Sequence, residues 1–300
     1  MLSVMEKKTI IKWTILLTLA LAVIVPVIVF NVRSPVLIVT ESSFLTLYGE
    51  RRINRTVFLS SLSLYRPVKI VEIANNAGAD IVHYAVAEIS QNPYCVIFPR
   101  RFSQSARIYQ EYYPQTKIII LEGKYPRDTV NEEGFYSYYS DIESDFFRAG
   151  YAAAAFTESK SVNIAVFFEP NQYLIYGSMA EEAFLKGLDD LGSMAETYFF
   201  TSFSDLPEYL EISCLIIAGA GWEFFENGSA GVPVILFSWL DPYMVPSDIV
   251  LVIDDSPFAQ LLDAVKLSAA GFWGGSVKSR FSVINTGIIG SGILRDINNM

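Results

Sequence analysis

Apolar residues fall along the chain in short runs separated by longer stretches of mixed polarity. Runs at 36–40, 68–73, 95–98 and 118–121 are rich in β-branched side chains, and between them 75–89 and 102–112 are of helical length. A strand that is apolar along its whole length has both faces covered, which is the state of a parallel sheet between two layers of helices. The rhythm then repeats. A helix is predicted over 142–156, a strand over 162–168 and a helix over 178–191, stopped by Gly192. Strands follow at 215–218, 232–237 and 249–253, then a helix over 257–272 and a last strand or hairpin arm over 281–289. Tyr136, Tyr138 and Tyr139 alternate as one face of an edge strand would. The pattern predicts an α/β protein of two lobes, each a parallel sheet flanked by helices, joined by several crossing strands.

The first 34 residues follow another pattern. Lys7, Lys8 and Lys12 precede an uncharged run over 13–30. As a helix that run is about 27 Å long, close to the roughly 30 Å hydrocarbon layer of a bilayer. Pro26 lies near its far end, where a membrane helix tolerates it. The run closes in Val29-Phe-Asn-Val-Arg-Ser34, a poor peptidase site, and no cysteine follows it at once to carry a lipid. An uncleaved signal anchor is therefore expected over 13–30, with 1–12 as a cytoplasmic stub and the body at the cell membrane's extracytoplasmic side. A cleaved signal peptide is the competing reading.

Charge fits that division. The chain carries −10 overall, but four basic residues against Glu6 give residues 1–34 a net +3, so the other 266 carry −13. So acidic a balance argues against a nucleic-acid binder, which needs a basic face to meet phosphates, and no nucleic-acid partner is expected. With 52% hydrophobic and 18% charged residues it has ample material for a core.

Catalytic chemistry is sparse. His83 is the one histidine, and it lies in a helix-like stretch, so a packed or surface helical role is expected. There is no phosphate-cradling GxxxxGK[ST], and Gly219-Ala-Gly221 lacks the third glycine of a dinucleotide loop. Cys95 and Cys214 are too far apart for a metal knuckle and too few for a disulfide framework. The acidic pairs Glu132-Glu133, Asp189-Asp190 and Asp254-Asp255 read as solvated loop or cap residues. The expectation is a protein that is not an enzyme, without cofactor or metal.

In open parallel sheets ligands bind beyond the carboxyl ends of the strands. In the first half those ends supply Ser42, Ser43 and Phe44, then Asn75, Arg100 and Glu122. In the second they supply Glu169 and Asn171, then Trp222, then Trp239 and Asp241. The tryptophans can stack on a sugar face or a base, and Asp241 can accept paired hydrogen bonds. Asp145 has two readings open, a helix N-cap and a ligand contact.

Asp145-Phe-Phe-Arg-Ala-Gly150-Tyr-Ala-Ala153 resembles the D-x4-G-x2-A-A segment of type I periplasmic solute-binding proteins. The strand at 162–168, Phe184-Leu-Lys-Gly-Leu188 and Val232-Pro-Val-Ile-Leu-Phe237 are similar to further segments of that family. Residues 264–275 resemble its basic membrane protein branch, which includes spirochaete nucleoside-binding lipoproteins. The resemblance covers about residues 36–290. It implies an N-terminal lobe of 35–141 plus 255–275 and a C-terminal lobe of 142–254 plus 276–300, with crossings near 141–145, 253–256 and 275–278. It also implies that Asp145 stands at the first crossing, often touching ligand, and that Gly150 and the alanines let the helix pack closely on the sheet. The implied function is capture of a small polar ligand, nucleoside or sugar-like, between the lobes, for an ABC permease or a sensor. Ser43, Phe44, Arg100, Asp145, Glu169, Trp222, Trp239 and Asp241 are the expected ligand-binding set. Three departures stand out, and the first two, the missing arginine and lysine, favour an alternative, a degenerate binding fold kept as a surface structural or interaction module. Met179 stands where sugar-binding members often carry arginine, Ser256 is not followed by the branch's lysine, and the lipid-anchoring cysteine is absent.

Overall fold

The computed structural model describes residues 4–121, 134–157, 162–205, 211–218, 232–237, 248–283 and 291–300. Helix α1 (Val4–Val32) comes first. The first lobe then builds as β1 (Val36–Glu41), α2 (Ser42–Tyr48), α3 (Glu50–Leu64), β2 (Val68–Ile73), α4 (Ala79–Ile89), β3 (Cys95–Pro99), α5 (Ser103–Tyr112), β4 (Lys117–Leu121) and β5 (Phe135–Ser140). The second follows as α6 (Ile142–Thr157), β6 (Asn163–Phe168), α7 (Pro170–Asp190), β7 (Glu196–Phe200), β8 (Ile212–Ala218), β9 (Val234–Phe237) and β10 (Ile249–Asp254). The chain ends with α8 (Pro257–Ala269), β11 (Gly275–Val277), β12 (Arg280–Val283) and α9 (Ser291–Asn299).

The strands form two six-stranded sheets, ordered β11-β5-β4-β3-β1-β2 and β12-β10-β9-β8-β6-β7. Every pairing in the first is parallel. In the second only β12 runs antiparallel, against β10. Two α/β lobes with parallel-rich sheets are therefore present, as the run pattern requires. The physical cause is visible in β1, where all six residues are buried. Val36 and Ile38 pack to one side with α8, while Leu37 and Val39 pack to the other with Val82 and Val86 of α4. The first-sheet edge strand β2 instead turns Lys69 and Glu72 to solvent, which blunts edge-to-edge pairing.

The chain passes between lobes at Asp141, after β10, and between β11 and β12. Because β11 pairs with β5 in the first sheet, Ser276 and Val277 belong to the first lobe, two residues beyond the expected boundary. It also covers β5, so Tyr138 and Tyr139 do not lie on an edge strand; Tyr138 is fully buried and donates to Phe272 O at 2.7 Å.

Other differences have local causes. Helix α4 starts four residues later than expected, after Asn76 turns through a positive φ of 63°. Helix α7 starts eight residues earlier, because Pro170 sits at its first turn, where no N–H is needed. Helix α3 has no apolar stripe to announce it: its buried positions are Ile53, Thr56 and Ser60. Helices α6 and α7 cross closely at two reciprocal glycines. A Cβ on Gly150 would collide with the carbonyl of Phe184, and one on Gly187 with that of Phe147. The close approach of Gly150 is thus to another helix, not to the sheet.

The backbone of α1 is helical through the whole 13–30 run, with Pro26 inside it. Among the described residues, no helix is long and apolar enough to cross a membrane. In α1 the described side chains are those of Trp13, 16–20, Ala22 and 24–32. They include Leu16, Leu17, Leu19, Ile24, Val27 and Ile28, all half exposed or more. The end of α1 meets the body at Tyr65, whose hydroxyl donates to Pro26 O at 3.0 Å and whose ring takes Phe30 edge-on at 5.8 Å.

Candidate functional site

The carboxyl ends of β1, β3 and β4 open into a cavity of about 280 Å³. This is just under the roughly 300–1,000 Å³ usual for small-molecule sites. Its floor is the end of the sheet, with Ile38, Ile97 and Leu121. Phe44 of α2, Phe102 and Phe258 of α8 form aromatic walls, and Thr40, Glu41, Arg100 and Arg101 supply the polar groups. Phe44 is held by Tyr48, stacked at 5.3 Å, and by Phe258 at 6.0 Å.

Glu41 is the polar centre. It closes an otherwise apolar strand and is 6% exposed. One carboxylate oxygen accepts from Arg101. The other, Oε1, is buried without a hydrogen-bond partner among the described residues. A buried acceptor left unmade costs about 1–3 kcal/mol. Sequence reasoning alone misses Glu41 and Arg101. The signal for Glu41 is an acid ending an apolar run, directly before the strand-end serines.

The expected residues distribute unevenly. Phe44 and Arg100 line the cavity. Ser43 lies next to Phe44 at the start of α2, where its N–H donates to Asn75 Oδ1 at 3.3 Å. Glu169 is in the second lobe at the end of β6, its carbonyl accepting from Gln172 and Tyr173 at the start of α7. Trp222, Trp239 and Asp241, with Glu122, lie outside the described residues. His83 is 7% exposed in α4, among the rings of Tyr84, Tyr109, Tyr112 and Tyr113. Cys95 and Cys214 are free and buried, and burial pushes both thiols up to about 12.

Asp145 lies away from the cavity lining. Helix α6 begins at Ile142 and its cap is Asp141, whose Oδ1 accepts from Ser144 N at 3.1 Å. Asp145 is therefore one turn inside the helix and 1% exposed. Its Oδ1 accepts from Arg148 and from Ser279 N at 3.0 Å, and its Oδ2 from the Ser279 hydroxyl. Arg148 also donates to Ser279 O at 3.0 Å and lies over the Phe281 ring. The first crossing is thereby fastened to the third. Burial raises the Asp145 carboxyl to about 6, against the lowering pull of Arg148 and Ser279.

The pair Asp254-Asp255 departs from its expected solvated role, since both residues are buried. Asp254 ends β10 and accepts from Tyr48 OH at 3.0 Å and from Arg52. Those partners belong to α2 and α3, so the contact joins the lobes. Burial raises the pKa of Asp254 and of Tyr48. The cap of α8 is Ser256, whose hydroxyl accepts from Ala259 N at 3.1 Å.

Comparison with known proteins gives a fold. No family model matches the chain, and no curated protein matches its sequence. Among solved structures, a transcriptional activator of the comK gene from Bacillus halodurans is similar with TM-score 0.60, at 14% identity over 89% of this chain and 95% of that one. AraP, an arabinose binding protein from Geobacillus stearothermophilus, is similar with TM-score 0.59, at 10% identity over 86% and 99%. A periplasmic ribose ABC transporter protein from Conexibacter woesei follows with TM-score 0.56, at 11% identity over 90% and 96%. The fold is that of type I periplasmic sugar-binding proteins, which transcription regulators share. These neighbours are binding proteins and regulators, and they do not single out the basic membrane protein branch.

Proposed function

We propose that the chain is an extracytoplasmic solute-binding protein, tethered to the cell membrane by α1, that closes two lobes on a small ligand and presents it to an ABC permease or a sensor. The observation that carries this reading is the first-lobe cavity at the strand ends, where an apolar and aromatic enclosure is lined by Glu41, whose Oε1 has no partner among the described residues. A polar ligand of nucleoside or sugar size, with a flat or apolar face for Phe44 and a donor for Glu41, suits it. Ser43, Phe44 and Arg100 supply the first-lobe side. Glu169, Trp222, Trp239 and Asp241 are the proposed second-lobe contacts, and Asp145 acts at the hinge. Closure follows when ligand contacts favour the closed state over the open one, by no more than the difference in affinity. The tether reading rests on the uncharged run at 13–30 and on apolar side chains exposed along α1.

The test is a thermal-shift screen of the full chain in detergent against nucleosides, sugars and amino acids. A ligand at a hundred times its Kd stabilises by about 2.7 kcal/mol. For the compound that raises the melting temperature, Glu41→Gln should weaken binding on the order of tenfold to a hundredfold, as loss of a charge-assisted bond does. A second reading, a degenerate fold serving as a surface module, is favoured by Met179 in place of the expected arginine. Silence across all compound classes would select it.

A further inference from the structure

We propose that the outward face of α3 lies on an anionic phospholipid surface and sets how the body sits above the membrane. Arg51, Arg55, Phe58, Leu62 and Tyr65 follow one another at alternate steps of four and three, which places them in one line along the helix and its C-cap. All five are exposed, Phe58 by 61% and Leu62 by 58%. The opposite side of the helix, at Ile53, Thr56 and Ser60, is buried and packs toward α8. The stripe ends at the tether, because Tyr65 is the residue that receives Phe30 and bonds Pro26 O. Arg33 lies over the same ring at 4.9 Å, and Arg66 donates to Ser34 O at 3.3 Å. A tyrosine flanked by arginines where an apolar helix emerges is the composition of a membrane–water interface.

Charge singles this face out from other exposed apolar residues. The stripe carries Arg51 and Arg55, within a segment, 35–69, whose net charge is +3 even with Arg52 engaged by Asp254, whereas 70–300 carry −16. Ile81 and Tyr84 on α4 are as exposed as Phe58, but their helix bears Asp80 and Glu88 and no lysine or arginine. Phe58 and Leu62 suit the boundary between acyl chains and headgroups, and the two arginines beyond them suit anionic headgroups. The surface would hold the body at a fixed orientation, with α2 and the cavity wall built from it in constant relation to the bilayer.

This inference rests on the tether reading, and one experiment separates the two. The full chain is placed in nanodiscs of phosphatidylcholine with or without phosphatidylglycerol, both containing spin-labelled lipid. A fluorophore is attached through Asn54→Cys beside the stripe, Ile24→Cys in α1, or Leu174→Cys on α7, in separate proteins; Cys95 and Cys214 are buried away from the reagent. Quenching at Asn54→Cys several-fold above that at Leu174→Cys is expected in discs with phosphatidylglycerol. It should fall to the Leu174→Cys level with Arg51→Glu and Arg55→Glu together, and weaken at about 1 M salt, where the screening length drops to roughly 3 Å. Strong quenching at Ile24→Cys with none at Asn54→Cys overturns the membrane face and leaves the tether standing. Absence of quenching at Ile24→Cys overturns the tether and this inference together.

Discussion

Two buried aspartates mark the crossings between the lobes, and they are solved differently. Asp145 and Asp254 are each 1% exposed, and each is paired with an arginine. The partners of Asp145 are Arg148, one turn along α6, and Ser279 on the third crossing. Arg148 is itself only 3% exposed, so the whole cluster is closed to water. Asp254 accepts from Ser256 N beside it at 3.3 Å, but its side-chain partners, Tyr48 and Arg52, come from the other lobe, and the Arg52 side chain is 23% exposed. The first cluster is a weld between the start of α6 and the third crossing, with all of its groups enclosed. The second is a contact across the lobes with one partner open to solvent. Desolvation is the physical reason: an enclosed ion pair has no alternative to its partner, while a partly exposed arginine can turn to solvent.

The largest expected effect separates the two directly. Asp145→Ala leaves Arg148 charged and enclosed, and should cost about 3–5 kcal/mol in urea unfolding. Asp254→Ala frees an arginine that can reach water, and should cost about 1.5–3 kcal/mol, the range for a hydrogen bond to a charged group. Equal losses would remove the distinction between weld and contact.

A pH series sharpens it. The folded-state pKa of Asp145 is about 6, above its ordinary value of 3.8. As pH falls from 7, the native protein takes up this proton before the unfolded chain does. The contribution of the group is thus fully favourable below about pH 4 and is lost as pH rises through 6. At about 1.36 kcal/mol per pKa unit, the stability difference between wild type and Asp145→Asn should shift toward wild type by roughly 2 kcal/mol between pH 7 and pH 4. A constant difference across that range would mean the carboxyl titrates normally and is better hydrated than its burial implies.

The smallest effect concerns the contact. Tyr48→Phe removes one hydrogen bond to Asp254 and should cost about 0.5–1.5 kcal/mol. Its more telling readout is amide hydrogen exchange, which should rise in α2 and around Asp254 and stay unchanged around Arg148 and Ser279. Rises of equal size at both clusters would show one cooperative hinge instead of two independent devices.

Much of the fold is legible in the order of residues. Strands buried on both faces announce themselves as apolar runs: β1, β3, β4, β6 and β10, and with them the edge strand β2, begin within a residue of where the pattern predicts. Helix α3 is not legible, because Thr56 and Ser60 fill its buried face and Phe58 and Leu62 point outward. The short β11, opened by a glycine, has no pattern of its own and is a strand only because β5 is beside it. At the site, Phe44 and Arg100 follow from the rule that ligands meet strand ends. Glu41 is open to the same rule, but its pairing is not, since Arg101 is 60 residues distant.

Near neighbours along the chain dictate the two α/β rhythms, the apolar first helix, the acidic body and the strand ends where a cavity can form. Periodicity and local charge carry that information because they act over a few residues. Which carboxylates are enclosed, and by whom, is settled only in the assembled lobes. Asp254 meets Tyr48 across 206 residues, and Asp145 meets Ser279 across 134. Such pairings leave no local trace, because burial between packed elements, and not the identity of adjacent residues, is what forces each charge to find its partner.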